Sequence, residues 1–165
     1  MSSFQSAPGT VLITGTTSGV GLYATKALID LGWKVITANR SPLRAEEAAL
    51  KLGLPFRSPN QLEHIYLDLA DLDGVRKSVK KLLQSLDKPL DALVCNAAVY
   101  MPRLAKPKRS PQGYELSMAT NHFGHFLLIQ LLLENLSNSK RPVWTGRSWG
   151  VEPSRLVVLG TVTAN

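Results

Sequence analysis

The octapeptide TGTTSGVG, Thr14 to Gly21, constrains this chain more than any other stretch. It follows the apolar run TVLI and precedes the helix-forming run LYATKALIDLGW, so a glycine-rich turn joins a strand to a helix. Such a turn leaves backbone N–H groups unpaired at the positive end of a helix, where a diphosphate binds. The glycines are Gly15, Gly19 and Gly21, spaced G-x-x-x-G-x-G rather than the G-x-G-x-x-G of ordinary dinucleotide folds. A ligand-free glycine turn is the alternative reading, but strand and helix flank the motif as phosphate binding demands.

Further along, strand-length apolar runs recur at Thr10 to Ile13, Lys34 to Ala38, Leu62 to Leu67, Ala92 to Cys95 and Arg155 to Leu159. Most are continuous rather than alternating, which suits strands covered on both faces of a parallel sheet. Helical periodicity fills the gaps at Val20 to Leu31, Leu43 to Leu52 and Leu72 to Leu86, the last preceded by Asp71 as its cap, and in a longer helix over about Gly113 to Leu136. Alternating strands and helices predict an α/β fold with right-handed crossovers: a doubly wound parallel sheet of Rossmann type, strand order 3-2-1-4-5. One such domain over 10–165 is expected, after a flexible leader over 1–9. Two segments rich in proline, glycine and basic residues, MPRLAKPKRSPQG and SNSKRPVWTGRSWGVEPS, read as loops, the second tucked by Trp144 and Trp149.

Composition reads as an ordinary soluble globular protein: 165 residues, 44% hydrophobic and 19% charged. Nineteen basic against 12 acidic residues give a net charge of +7, which favours anionic ligands. The basic loop RLAKPKR carries no nucleic-acid recognition motif and reads as solvated, so no nucleic acid is expected as partner. The single cysteine, Cys95, excludes an internal disulfide and reads as a small buried hydrophobe at a strand end. MSSFQSAPG is too short and polar for a targeting peptide, and no run reaches the roughly 18 apolar residues of a membrane span, so a cytoplasmic location is expected.

The end of the second strand selects the cofactor. An NAD site places a carboxylate there for the ribose 2′-hydroxyl, whereas NADP needs that acid absent and a cation near the 2′-phosphate. Here the sequence reads TANRSPLR, with Asn39 in the acid's place, Arg40 after it and Arg44 four residues on. NADPH is therefore the expected cofactor. His122 and His125 lie three apart on a helix but lack a third ligand, so no metal site is expected and both read as packing or hydrogen-bonded residues.

TGTTSGVG resembles the T-G-x-x-x-G-x-G of the short-chain dehydrogenases/reductases, and later motifs fall in that family's order. The resemblance implies that Gly15, Thr16, Thr17, Ser18, Gly19, Val20 and Gly21 cradle the cofactor phosphates. YLDLAD supplies Asp68 and Leu69, matching the pair that meets the adenine. LVCNAAV resembles N-N-A-G through Asn96, Ala97 and Ala98, with Cys95 for the first Asn and Ala98 for the Gly. NHFGHF resembles the active-site helix, in which Asn121 would bend the helix and hold a water in the proton relay. In RLVVLGTVTAN, Thr161 takes the place of the catalytic serine, while Val162, Thr163 and Asn165 depart from the usual continuation.

TGTTSGVGLYATKAL, CNAAVYMP, NHFGHFLL and LGTVTAN together resemble the light-dependent protochlorophyllide oxidoreductases of cyanobacterial type, a branch of that family. The resemblance implies light-driven reduction of the C17=C18 double bond of protochlorophyllide to chlorophyllide. Protochlorophyllide would be the substrate partner, with peripheral association with photosynthetic membranes and oligomerisation both left open. Another NADPH-dependent short-chain reductase, of retinol or carbonyl type, and a truncated non-catalytic dinucleotide-binding module are the alternatives. The family's Y-x-x-x-K pair is not found: Tyr23, Tyr66, Tyr100 and Tyr114 lack a lysine at the fourth following position. With the apolar run at Leu156 to Leu159 left as an unpaired edge, the sequence is expected to be the cofactor-binding half of a longer chain, with the C-terminal part of the fold absent.

Overall fold

A computed structural model describes residues 8–54, 61–101, 106–144 and 149–159. Its strands are β1 (Thr10–Thr14), β2 (Lys34–Asn39), β3 (Leu62–Tyr66), β4 (Ala92–Cys95), β5 (Arg141–Trp144), β6 (Trp149–Glu152) and β7 (Arg155–Val158). Five of them form one sheet in the order β3-β2-β1-β4-β7, every neighbour parallel. The doubly wound order expected from the sequence is the order found, and the five strand bounds agree to within one residue.

Side-chain alternation along the strands builds a core on each face. Leu12, Ile36 and Leu93 face α3 (Leu72–Ser85) and α5 (Gly124–Ser137), whose Val75, Val79, Leu82, Leu128, Leu132 and Leu136 are all buried. Val11, Ile13 and Val35 face the other way, against Ile29 of α1 (Gly19–Asp30) and Ala49 of α2 (Pro42–Lys51). Helical steps of three and four residues keep each apolar stripe on one side, and each fully buried Leu or Val contributes roughly 1.5–3 kcal/mol.

Local chemistry sets the helix starts. Ser41 caps α2 by accepting from the Arg44 N–H, and Pro42 occupies the first turn, where its missing N–H is harmless. Asp71 caps α3 by accepting from Asp73 N–H at 3.2 Å, as the sequence suggested.

Two expectations need correction. SNSKRPVWTGRSWGVEPS is not wholly loop: β5 and β6 pair antiparallel within it, with Trp144 opposite Trp149. Pro142 and Gly150 depress strand propensity there, but an isolated two-stranded ribbon tolerates both, because one side of each strand needs no ladder partner. The helix placed over Gly113 to Leu136 instead begins as a short turn, α4 (Leu116–Met118), passes through a π turn over Ala119–Phe123, and continues as α5.

Candidate functional site: the cleft at the strand ends

The glycine loop leaves β1 at its C-terminal end, where the strand order reverses and α/β sheets bind ligands. Gly15 turns with φ +70°, and a Cβ there would lie 2.5 Å from the Ala97 Cα. Only glycine lets the loop pass this close to the chain leaving β4. A Cβ on Gly21 would collide with the Asn96 side-chain amide and the Gly15 carbonyl oxygen. Beside Gly19 there is open space.

Hydrogen bonds lock the loop from three sides. The Asn96 amide donates to the Thr14 and Gly15 carbonyls at 3.0 and 2.8 Å. Thr14 Oγ1 accepts the backbone N–H groups of Asn96 and Ala97, both at 3.0 Å, and lies 2.9 Å from His125 Nε2. Asn39 accepts the Thr16 N–H on Oδ1 and donates from Nδ2 to Thr16 Oγ1, each at 2.8 Å. Asn39 thus leaves a neutral wall at the β2 end while its amide supports the loop. Ser18 at the N-terminus of α1 makes no side-chain cap, which leaves first-turn amides of that helix to a ligand.

Around this loop lies a cavity of about 160 Å³. Gly15 and Thr17 form one wall, and Asn39, Arg40 and Arg44 a second. Asp68, Leu69 and Ala98 close it. Asp68 Oδ1 accepts the Ala70 N–H at 3.0 Å, which shapes the turn that presents Leu69. Eight of the residues singled out in the sequence therefore meet in one cavity. Asn96, Ala97, Thr16 and Gly21 shape it from behind, and Ser18, Gly19 and Val20 lie exposed at the start of α1. Ser41, Leu67, Val99 and Thr120 also line it, and nothing in their local sequence singles them out. The arrangement suits a dinucleotide: unpaired helix amides and glycine backbone for a diphosphate, guanidinium groups for a further phosphate, and an apolar slot at Leu69 for a flat ring.

Asn121 sits in the π turn, with its side chain clasping Val99: Oδ1 accepts the Val99 N–H at 2.8 Å and Nδ2 donates to the Val99 carbonyl at 2.9 Å. Asn121 thus stands within the π turn, where the sequence placed a bend in the helix. Thr161 falls outside the described residues. His122 packs its ring near Phe123 and Phe126. His125 is buried, and burial holds its pKa below the usual value of 6.5 despite its contact with the Asn121 carbonyl. Among the described residues no cluster of histidine, cysteine and acid side chains could hold a metal. Burial pushes the Cys95 thiol up to about 12, so it packs as a hydrophobe. Thr14 and His125 are the contributors that sequence reasoning passed over as site residues; their contact spans 111 positions, so no local signal marks it.

Comparison with known proteins agrees with this geometry. The chain is 46% identical over 158 residues to protochlorophyllide reductase of Cucumis sativus, covering 95% of this chain and 36% of that protein. The corresponding Chlamydomonas reinhardtii protein is 45% identical over 94% of this chain and 36% of its own length. The chain thus spans little more than a third of these relatives. Among solved structures, the Pseudomonas aeruginosa RhlG/NADP complex superposes with a TM-score of 0.69 at 25% identity, over 94% of this chain and 56% of that one. The family model for short chain dehydrogenases matches residues 9–143, and with the sheet order and glycine loop described above the chain belongs to the short-chain dehydrogenase family.

Proposed function

We propose that this chain is the cofactor-binding part of an NADPH-dependent, light-driven reductase that converts protochlorophyllide to chlorophyllide. The observation that carries the cofactor is the shared cavity of Arg40, Arg44 and the glycine loop, with Asn39 rather than an acid at the end of β2. Two cations beside a neutral amide favour a 2′-phosphate over a free 2′-hydroxyl, because a guanidinium binds phosphate through paired, charge-assisted hydrogen bonds. The likeness to protochlorophyllide reductases supports the pigment as substrate.

When bound, NADPH supplies the hydride delivered to C17 of the light-excited pigment, and a proton follows at C18. The chain's own residues bind and orient. Gly15 to Gly21 hold the diphosphate on backbone amides, Arg40 and Arg44 clasp the ribose phosphate, and Asp68 and Leu69 flank the adenine. Ala98 and the backbone held by Asn96 and Ala97 form the floor toward the nicotinamide. Asn121 holds the π turn and a water of the proton relay, and Thr161 takes the place of the family's catalytic hydroxyl. The location read from the sequence is cytoplasmic, with peripheral association with photosynthetic membranes left open, whereas the relatives named above are chloroplastic.

The test is illumination of the complete gene product with protochlorophyllide and NADPH, watching for chlorophyllide absorbance, with an Arg40→Ala variant alongside. Light-dependent product is expected, together with a loss of roughly tenfold in NADPH affinity in the variant and little change for NADH. Equal binding of NADH and NADPH by the unaltered protein would overturn the cofactor assignment. Dark turnover of a retinoid or small carbonyl, with no pigment reduction, would move the substrate to the carbonyl class.

A further inference from the structure

We propose that His125 is a positioning residue: with its proton on Nδ1 alone, it latches the glycine loop at Thr14 to the main-chain carbonyl of Asn121 in the π turn. The inference rests on the reductase reading for its catalytic consequence, but the latch itself follows from counting protons. A hydroxyl has one proton and two lone pairs. Thr14 Oγ1 already accepts the N–H groups of Asn96 and Ala97, so both lone pairs are used. Its one proton is left to point at His125 Nε2, 2.9 Å away, and that nitrogen must be the acceptor. The ring proton therefore resides on Nδ1, which donates to the Asn121 carbonyl at 3.2 Å.

Each end of the latch reaches the cleft. Thr14 is the last residue of β1 and leads directly into Gly15, which lines the cavity. At the other end, the Asn121 side chain fixes Val99, which also lines the cavity. The π turn loosens the regular ladder here: Gly124 N–H bonds back five residues, to the Ala119 carbonyl. A ring donor at Nδ1 fixes the direction of the Asn121 carbonyl within that turn. His125 is 5% exposed, so neither bond competes with bulk water. One imidazole thus couples the surface that binds phosphate to the turn that carries the relay residue.

The two ends can be cut separately. Glutamine at 125 keeps an acceptor near the Nε2 position and loses the Nδ1 donor; asparagine does the reverse. In the protein, His125→Gln is expected to hold NADPH affinity near the unaltered value while kcat falls, and His125→Asn to weaken NADPH roughly tenfold with the smaller loss in kcat. Parallel losses in both variants would overturn the positioning role, since a generic packing defect does not distinguish the two ring nitrogens. Nitrogen-15 NMR of the unaltered protein, with the His125 signals identified by their loss in the variants, decides the latch even if a variant fails to fold. A protonated Nδ1 and a bare Nε2 are expected, and a protonated Nε2 would overturn it. If the unaltered protein binds no NADPH, the reductase reading falls, and the NMR result still judges the latch by itself.

Discussion

Histidine 125 shows how a single buried ring turns local chemistry into pH dependence. Burial opposes the imidazolium, and the shift lies below 6.5 even though the Asn121 carbonyl favours the charged ring. A lowered folded-state pKa means that the unfolded chain binds the proton more readily, so stability is fully present above about pH 6.5 and is lost as pH falls toward the folded pKa. His64, half-buried beside Thr37, is shifted the same way by burial. The carboxyls of Asp71, which receives the Gln112 amide, and Glu115, which receives the Ser117 and Met118 N–H groups, are lowered instead, so their share is lost only in the acid range near pH 4 and below. Urea unfolding followed from pH 7.5 to 5 is therefore expected to show falling stability, with a shallower slope in His125→Gln; an unchanged slope would assign the loss elsewhere. The chemistry of the site was legible in sequence where it is local: the glycines, Arg40, Arg44 and Asp68 stand in one short stretch each. The Thr14 hydroxyl was not, because its partners at 96, 97 and 125 come together only when β1, β4 and α5 pack.

Elements placed by continuous apolar runs were legible because a strand buried on both faces has no polar positions to disguise it. β1 and β4 are of this kind in sequence, whereas β3 carries Glu63 and His64 within its run. The hairpin and the π turn were hidden for different reasons. Pro142 and Gly150 carry turn chemistry into β5 and β6, while the π turn is an extra residue within an otherwise continuous helical pattern, and periodicity averages over it. Close approach explains where α5 begins. A Cβ on Gly124 would collide with the Leu69 carbonyl oxygen, so the helix start and the turn after β3 that carries Leu69 approach backbone to backbone with no room between. Gly124→Ala is expected to push α5 away from Leu69, destabilising the protein by about 1–3 kcal/mol in urea unfolding and weakening NADPH binding, despite alanine's better helix propensity. A variant as stable as the parent would mean that the contact yields without strain.

At the scale of the molecule the sheet has two unlike edges. β3 ends one side with the mixed sequence LEHIY, and Glu63 there pairs with Lys34 of the adjacent strand at 2.8 Å. β7 ends the other side of the sheet, paired among the described residues with β4 alone, and its apolar residues stay open: Leu156 is 46% and Val158 59% exposed. A central strand of a doubly wound sheet is covered on both faces, so β7 has the composition of a central strand in the position of an edge. Unpaired N–H and C=O groups beside an apolar face form a template for a further strand. In a polypeptide of these 165 residues alone, another copy of the same edge supplies that strand most readily. Such a polypeptide is expected to self-associate in light scattering, and Val158→Lys to shift it toward monomer, because a charge on an edge strand disfavours pairing with a second copy. Pairing through the edge predicts in addition that Leu133→Lys, on the exposed face of α5 (54% exposed), leaves association unchanged, whereas dissolution by Leu133→Lys and not by Val158→Lys would place the contact on the helix.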